Sequence, residues 1–199
     1  GLALKFKPDP SFSTTLIPAA PQGVKPLDGS CLAGEVILTT SLDSVKKRVR
    51  PGDVLQIDFT PIIGGVLADP VPNLAFTRLL FSFGQDATRE VVFVNDSDAI
   101  PATDVTRDGV VSQINRALGA TVAAIGPGSK IEFNPTFLVV VRKTGTANAL
   151  LGLSTTVDLD NRSANAGTYV INTPRIDSLV LDTPLPATET RMQFSIVRR

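Results

Sequence analysis

Residues 106–119, TRDGVVSQINRALG, form the one stretch of this chain with a clear helical periodicity. Thr103 or Thr106 can cap the first turn, and Gly119 stands where a helix-terminating glycine belongs. The pattern predicts a single helix over about 104–118. Asn115 borders the apolar face, where its amide is placed to hydrogen-bond a neighbouring strand, so we expect a packing element rather than a catalytic one. The apolar face comprises Val110, Val111, Ile114, Ala117 and Leu118.

The remainder of the chain combines β-branched and aromatic runs with turn signals, which predicts strands. Within 53–62 the side chains alternate, and Leu55, Ile57 and Phe59 share the face expected to meet a core. The dense apolar run at 74–84 predicts a buried strand. One helix among so many strands predicts a mainly β fold, a β-sandwich or barrel-like domain with one inserted helix. Further strands are expected at 34–40, 89–95, 120–125, 130–133 and 137–144, and from 155 onward.

Residues 1–29 differ from this pattern because they contain five prolines, which block helix interiors and sheet ladders. The segment is also too apolar for a free polar linker. We therefore predict an extended Pro-rich arm over 1–29 that lies on a neighbouring subunit or on its own domain, followed by a β-rich domain over 30–199. A disordered N-terminus is the alternative. The residues expected to contact a partner are Leu4, Phe6, Phe12, Leu16 and Ile17.

The charge balance argues against a nucleic-acid partner. The chain carries 19 Lys and Arg against 19 Asp and Glu, whereas nucleic-acid binding draws much of its affinity from excess positive charge. The basic cluster KKRVR at 46–50, with Arg198 and Arg199, is expected to be a solvated edge or a partner contact. No apolar run approaches about 18 residues and no signal-peptide pattern is present, so no membrane span is expected.

Residue types needed for common catalytic centres are scarce. The chain has no histidine, which removes the usual general base near neutral pH and leaves the single cysteine, Cys31, without one for activation. Cys31 is therefore expected to be a small buried residue. The aspartates within 95–104 and 158–160 lack EF-hand spacing and are expected to be solvated rather than metal-binding. Spacing does not exclude glycosidase carboxylates, but no Trp and one Tyr supply little surface for sugar stacking. We expect no enzyme activity, cofactor or metal.

The segments around the helix occur in a recognisable order. The helix with Ile114-Asn115 is followed by a strand pair in ATVAAIGPGSKIEF (120–133), a strand in FLVVVRKT (137–144) and the turn TGTANALLGL (144–153). This order resembles the flagellin-hook IN module, which recurs in tailed-bacteriophage virion proteins and in flagellar hook-associated proteins. The resemblance covers about residues 89–154 as an embedded strand-helix-strand module. Its matching residues are Ile114, Asn115, Gly145, Asn148, Leu151 and Gly152.

The Pro-rich start and the C-terminal strand depart from flagellar proteins, whose termini are long helices, and so favour the phage proteins. The resemblance implies a non-enzymatic homo-oligomer, a trimer or a higher form, synthesised in the host bacterial cytoplasm and located in the virion. Its partners would be the major capsid protein or other virion proteins, and further copies of itself. We expect a capsid decoration, or cement, protein that stabilises the phage head through subunit contacts. A tail, neck or baseplate component and a carbohydrate-binding adhesin module are the alternatives.

Overall fold

The computed structural model describes residues 27–40, 49–83, 87–98, 100–135 and 137–197. Strands hold 44% of these described residues, which contain one α-helix, so the prediction of a mainly β fold with one helix is confirmed. In chain order the elements are β1 (Leu27–Cys31), β2 (Ile37–Thr40), β3 (Val54–Phe59), β4 (Ile62–Val66), β5 (Arg78–Phe83), β6 (Arg89–Val92), α1 (Arg107–Leu118), β7 (Ala123–Ile125), a short 3-10 helix (Pro127–Ser129), β8 (Lys130–Phe133), β9 (Val139–Val141), β10 (Leu159–Asp160), β11 (Arg162–Pro174), β12 (Ser178–Leu181) and β13 (Glu189–Val197).

Six of these strands close into a barrel, in the order β1-β13-β3-β11-β12-β2, and β2 pairs with β1 to complete the ring. Every neighbouring pair in the ring is antiparallel. Closure leaves the barrel without a free strand edge, which removes a site of unwanted pairing. The interior is filled by a cluster of large apolar side chains that includes Leu38, Leu55, Ile57, Leu179 and Phe194.

The chain between β3 and β11, residues 60–161, forms a second unit that we call the insert. It contains a four-stranded sheet, β10-β9-β5-β6, and a three-stranded sheet, β4-β8-β7. The two sheets share a core of their own, in which Phe81 of β5 and Phe133 of β8 meet edge to face with ring centroids 5.4 Å apart. Helix α1 adds Val110 and Ile114 to this core. The fold is therefore a barrel with a helix-containing insert.

Polar contacts fix the insert to the barrel where the chain leaves and returns. The backbone N–H of Thr60 donates to the carbonyl of Asn161 across this junction, at 2.9 Å. The buried Asn161 amide then ties the junction to the insert, because its Oδ1 accepts from the N–H of Val139 at 2.8 Å. A partly buried ion pair joins Glu132 of β8 to Arg191 of β13 with 2.6 Å between Oε2 and Nη1. The insert is thus held against one end of the barrel.

Strand directions place the start of β1 and the insert at opposite ends of the barrel. β1 and β3 are both antiparallel to β13, so they run in the same direction. The chain enters β1 at one end of the barrel, and the insert follows β3 at the other. β2 and β13 both finish at the end where β1 begins. This arrangement separates the start of β1 from the insert by the length of the barrel.

The structure corrects the sequence predictions in three places, two at element boundaries and one on the helix face. β1 begins at Leu27, so residues 27–29 belong to the barrel and not to the predicted arm. α1 begins at Arg107 rather than near 104, because Thr106 caps it in an extended conformation. Ala117, predicted on the apolar helix face, is exposed because the face that meets the core is narrower than predicted. No helix among the described residues is both long and apolar enough to cross a membrane.

The strand predicted over 74–84 is also shorter than expected. β5 begins at Arg78, and residues before it form a turn in which Leu74 is buried while Phe76 is 72% exposed. Asn73 and Phe76 both have positive φ, which strand geometry does not allow. The strand predicted over 53–62 likewise ends at Phe59, which is only half-buried, and β4 begins at Ile62. The length of the apolar run at 74–84 therefore overestimates the length of the strand, because turn residues such as Leu74 contribute to the core as well.

Candidate interaction surface

Helix α1 is fixed at both ends by side-chain and backbone hydrogen bonds. The Thr106 hydroxyl accepts from the N–H of Gly109 at 3.0 Å. The carboxylate of Asp96 accepts from both the backbone N–H and the hydroxyl of Thr106, so the cap itself is anchored to the segment after β6. Gly119 ends the helix with φ 67° and donates its N–H to the carbonyl of Arg116. Asp96, considered above among the possible metal ligands, thus serves as part of a helix cap.

Two side-chain amides of α1 bind the edges of both insert sheets, and we call this pair the helix clamp. Gln113 Oε1 accepts from the N–H of Val94, and its Nε2 donates to the carbonyl of the same residue, each at 2.9 Å. Asn115 Oδ1 accepts from the N–H groups of Val122 and Ala123, both at 2.8 Å, and its Nδ2 donates to the carbonyl of Ala123 at 2.9 Å. Ile114, between them in sequence, is fully buried. The clamp therefore joins the segment just after β6 to the start of β7, and β6 and β7 are edge strands.

The turn that follows β9 is organised by Asn148, which is fully buried. Its Nδ2 donates to the carbonyls of Arg142 and Ser154, at 2.9 and 2.8 Å, and so joins the two ends of the turn. The turn docks on the sheets through the N–H of Ala147, which donates to the carbonyl of Arg78 at 2.9 Å. The residues matched to the IN-like pattern thus lie in two compact elements, helix α1 and this turn.

Three glycines allow the turn to approach β4 closely. The N–H of Gly65 donates to the carbonyl of Leu151 at 2.8 Å. Gly152 has φ 63°, and a Cβ at residue 152 would lie 2.4 Å from the Cα of Gly65. A Cβ on Gly64 would in turn lie 2.6 Å from the Leu151 carbonyl oxygen. The backbones touch here, so any side chain larger than hydrogen at 152 forces them apart.

A second polar cluster braces an irregularity in the barrel wall. The register of β11 against β3 shifts between Arg162 and Gly167, which leaves local backbone groups outside the ladder. Glu189 satisfies one of them, because its Oε1 accepts from the N–H of Ala164 at 3.0 Å. Its Oε2 accepts from two side chains of the same segment, the Ser163 hydroxyl at 2.6 Å and the Asn165 amide at 2.8 Å. The contacts make Glu189 a structural brace for this end of the barrel.

Cys31 packs against the same cluster. Its thiol donates to the carbonyl of Ala187 at 3.2 Å, and the Asn165 amide donates to Sγ at 3.4 Å. Burial raises the pKa of the Cys31 thiol, and the nearby Glu189 carboxylate adds to the effect. Burial is also the main cause that raises the pKa of Tyr169, whose hydroxyl donates to the carbonyl of Asn165. Cys31 is only 6% exposed and so occupies the buried position that was expected from the sequence.

We expect the Cys31 thiol to react slowly with thiol reagents in the folded protein. A raised pKa lowers the thiolate fraction at neutral pH, and burial blocks access to what remains, so alkylation should be roughly tenfold or more slower than in the unfolded chain. Mass spectrometry after timed iodoacetamide treatment, with and without guanidinium chloride, measures both rates. Equal rates in the two conditions would contradict the buried placement of Cys31.

Loss of the helix clamp should destabilise the insert. Asn115→Ala removes the partner of three backbone groups, and we expect the free energy of unfolding to fall by about 2 kcal/mol. The matched control is Asn172→Ala, because Asn172 is exposed and donates one long bond to the carbonyl of Leu181, at 3.3 Å. We expect that control to change stability by less than about 0.5 kcal/mol. Denaturant titration of both variants measures the difference.

The second group of aspartates, at 158–160, which was expected to be solvated rather than metal-binding, has a structural role as well. Asp158 accepts from the N–H of Lys143 at 2.8 Å and from the guanidinium of Arg142 at 2.9 Å. These two hydrogen bonds, the Lys143 one first, hold the pKa of Asp158 below its usual value. Among the described residues, no group of three or more His, Cys, Asp and Glu side chains converges in a way that could hold a metal ion.

Three exposed apolar side chains, Phe76, Val92 and Val94, form what we call the Phe76 surface. They are 72%, 48% and 52% exposed. The N–H of Phe76 donates to the carbonyl of Phe93 at 2.7 Å, so Phe76 lies across from the segment that carries both valines. Val92 and Val94 are two residues apart in an extended segment and point to one face. Large apolar side chains grouped on a surface are typical of binding sites.

The backbone holds Phe76 in this exposed position despite a conformational cost. Its φ of 67° lies in the left-handed region, which costs an L-residue about 1–2 kcal/mol. Neighbouring hydrogen bonds impose it, since Ala75 donates its N–H to the carbonyl of Thr103 at 2.9 Å and Asn73 donates to Asp104 Oδ1 at 3.0 Å. Strained residues held by their surroundings concentrate at functional sites. The Phe76 surface is therefore the candidate interaction surface among the described residues.

The sequence predicts partner contacts at Leu4, Phe6, Phe12, Leu16 and Ile17, which lie outside the described residues. It does not predict the Phe76 surface, because the apolar run at 74–84 indicates one buried strand. A turn signal was present in Pro70-Val71-Pro72-Asn73, which precedes the exposed phenylalanine. No protein-family model, curated protein or solved structure matches this chain.

Proposed function

We propose that this protein is a structural protein of a tailed-bacteriophage virion, and that it decorates the capsid. In this role it stabilises the head without enzymatic activity, through contacts with the major capsid protein and with further copies of itself. It is synthesised in the bacterial cytoplasm and resides in the virion. The observation that carries the proposal is the packing of the IN-like segments, because α1 and the turn around Asn148 contribute to a single core.

The helix clamp and the turn hold together the segments on which that resemblance rests. Asn115 binds the edge of one sheet, and the turn docks on the first residue of β5 in the other. The residues that match the pattern are thus those whose side chains or missing side chains hold the insert together. Such a unit is a rigid carrier rather than a catalytic centre, and rigid carriers suit proteins whose function is to present surfaces.

The distribution of surfaces supports assembly into a larger particle. The Phe76 surface lies on the insert, and the 26 residues before β1 join the barrel at the opposite end. A protein with contact elements at both ends can join two neighbours at once. Copies can pack closely because the net charge of the whole chain is zero and long-range self-repulsion is weak. These are properties that a capsid decoration protein requires.

A gene deletion tests the proposal. Phage particles from a strain that lacks the gene should assemble heads that release DNA at a lower temperature than wild-type heads, and purified protein added back should restore the wild-type temperature. Immunogold labelling of wild-type particles should place the protein on the head. Deletion particles with unchanged heat stability and no label on wild-type heads would contradict decoration, and label confined to the tail would transfer the role to a tail, neck or baseplate component.

A further inference from the structure

We propose that residues Leu2–Lys7 of one copy bind the Phe76 surface of a neighbouring copy, so that copies join head to tail. The inference rests on the proposed function, because it takes the assembly of several copies as given. It goes further by naming the two surfaces that meet. The occupant is a segment of this chain, and the site is the exposed apolar surface of the insert formed by Phe76, Val92 and Val94.

The composition of the segment matches an apolar site on an insert with an excess of acidic residues. Residues 2–7, LALKFK, alternate apolar Leu2, Leu4 and Phe6 with Lys5 and Lys7 near their end. Side chains of an extended chain alternate between two faces, so the apolar three share one face. Burying them on Phe76 and the valines removes apolar area from water on both partners.

Charge favours the same pairing. Residues 1–26 carry three lysines and one aspartate, whereas the insert, 60–161, carries ten acidic residues against seven basic ones. Three acidic residues lie close to Val92 and Val94 in sequence: Glu90, whose carboxylate pairs with Arg78 at 3.1 Å, Asp96, which caps α1 through Thr106, and Asp98, which is exposed. Lysines that lie within a Debye length of about 8 Å are attracted to such carboxylates at physiological salt.

Geometry favours a neighbouring copy over the same one. β1 begins at one end of the barrel and the insert lies at the other, so a contact within one copy would need the connection to run the length of the barrel. β13 alone, with nine residues, spans about 30 Å of that distance. In a head-to-tail pair the two ends meet directly. Residues 7–26 then supply a connection of up to about 65 Å in extended form, which is enough to reach across an interface.

Head-to-tail contacts are heterologous: each copy offers one surface and uses the other. Such contacts close into rings when the rotation between copies permits it, and otherwise continue as open chains. A ring of this kind, a trimer or a larger form, places every Phe76 surface under a neighbouring segment. The exposed aromatic is then buried in the assembled state.

Cysteine cross-linking in the full-length chain tests this contact. Leu4→Cys protein is mixed with Val94→Cys protein under mild oxidation, and the disulfide-linked dimer is measured on a non-reducing gel. Val157→Cys is the matched control, because Val157 is 57% exposed on the same insert. We expect at least tenfold more dimer with Val94→Cys than with the control. Equal yields, or a cross-link that forms only within a chain carrying both Leu4→Cys and Val94→Cys, would overturn the proposal.

A surface substitution gives an independent test that does not depend on disulfide geometry. Phe76→Asp should weaken association of full-length copies about 30-fold, the effect of losing one aromatic anchor, while Val157→Asp should leave it unchanged. Sedimentation velocity over a concentration series measures both. Unchanged association of Phe76→Asp would contradict the proposal. Cross-linking is measured on purified protein and therefore tests the contact separately from the proposed function. If cross-linking fails but the protein is still incorporated into virions, only this contact is wrong. If the protein is absent from virions, the proposed function is wrong.

Discussion

Gly152→Ala should lower the free energy of unfolding by about 4 kcal/mol. Two costs combine at this residue. Its φ of 63° lies in the left-handed region, where a side chain is disfavoured, and the new Cβ would lie 2.4 Å from the Cα of Gly65. The contacting atoms are backbone, so no side-chain rotation relieves the overlap. The turn must move away from β4, and the hydrogen bond from Gly65 N–H to the Leu151 carbonyl is stretched with it.

Gly128→Ala separates the two costs. Gly128 has a similar φ of 71°, but nothing lies within 4 Å of a Cβ at that position. We therefore expect this control to lose about 1–2 kcal/mol, the conformational term alone. Denaturant titrations of both variants give the comparison. If Gly152→Ala is no less stable than Gly128→Ala, then the backbone of the turn does not lie as close to β4 as the structure places it.

The second large effect is expected on the buried face of helix α1. Ile114→Ala should destabilise the protein by about 2–5 kcal/mol, because Ile114 is fully buried in the insert core between the two sheets that α1 bridges. The range reflects how far the surrounding side chains can close the cavity. Gln113 and Asn115 keep the helix attached to both sheet edges, which limits this closure and favours the upper part of the range.

Ile176→Ala is the matched control for that substitution, since it removes the same atoms from a side chain that is 59% exposed. We expect it to change stability by less than about 0.5 kcal/mol. Thermal unfolding followed by circular dichroism resolves a difference of this size. Similar losses for the two isoleucines would mean that the face of α1 bearing Ile114 does not meet the core.

The helix and the barrel differ in how far the sequence could predict them. The periodicity and caps of α1 are local properties, so the pattern around Ile114 located the helix to within a few residues. Barrel closure depends on pairings such as β3 with β11, which bring together residues about 100 positions apart in sequence. No local pattern encodes such a pairing, so the sequence predicted strands but left sandwich and barrel open.

The candidate surface shows the same limit. Asn115 was expected to bond a neighbouring strand, and its three bonds to the start of β7 are of that kind. The matching role of Gln113 at Val94 was not foreseen, because a polar residue on a helix gives no sign of which edge it meets. Phe76 was assigned to the core on hydrophobicity alone. Its exposure follows from the positive φ values of Asn73 and of Phe76 itself, which hydrophobicity does not predict.

The most direct measurement is the amount of this protein in purified virions. Particles from a phage that encodes the gene are banded on a density gradient, and quantitative mass spectrometry gives the ratio of this protein to the major capsid protein. A capsid decoration protein should remain with the particles through purification, in a fixed ratio that does not change between preparations. A protein that is abundant in the infected cell and missing from the banded particles would contradict the proposed function.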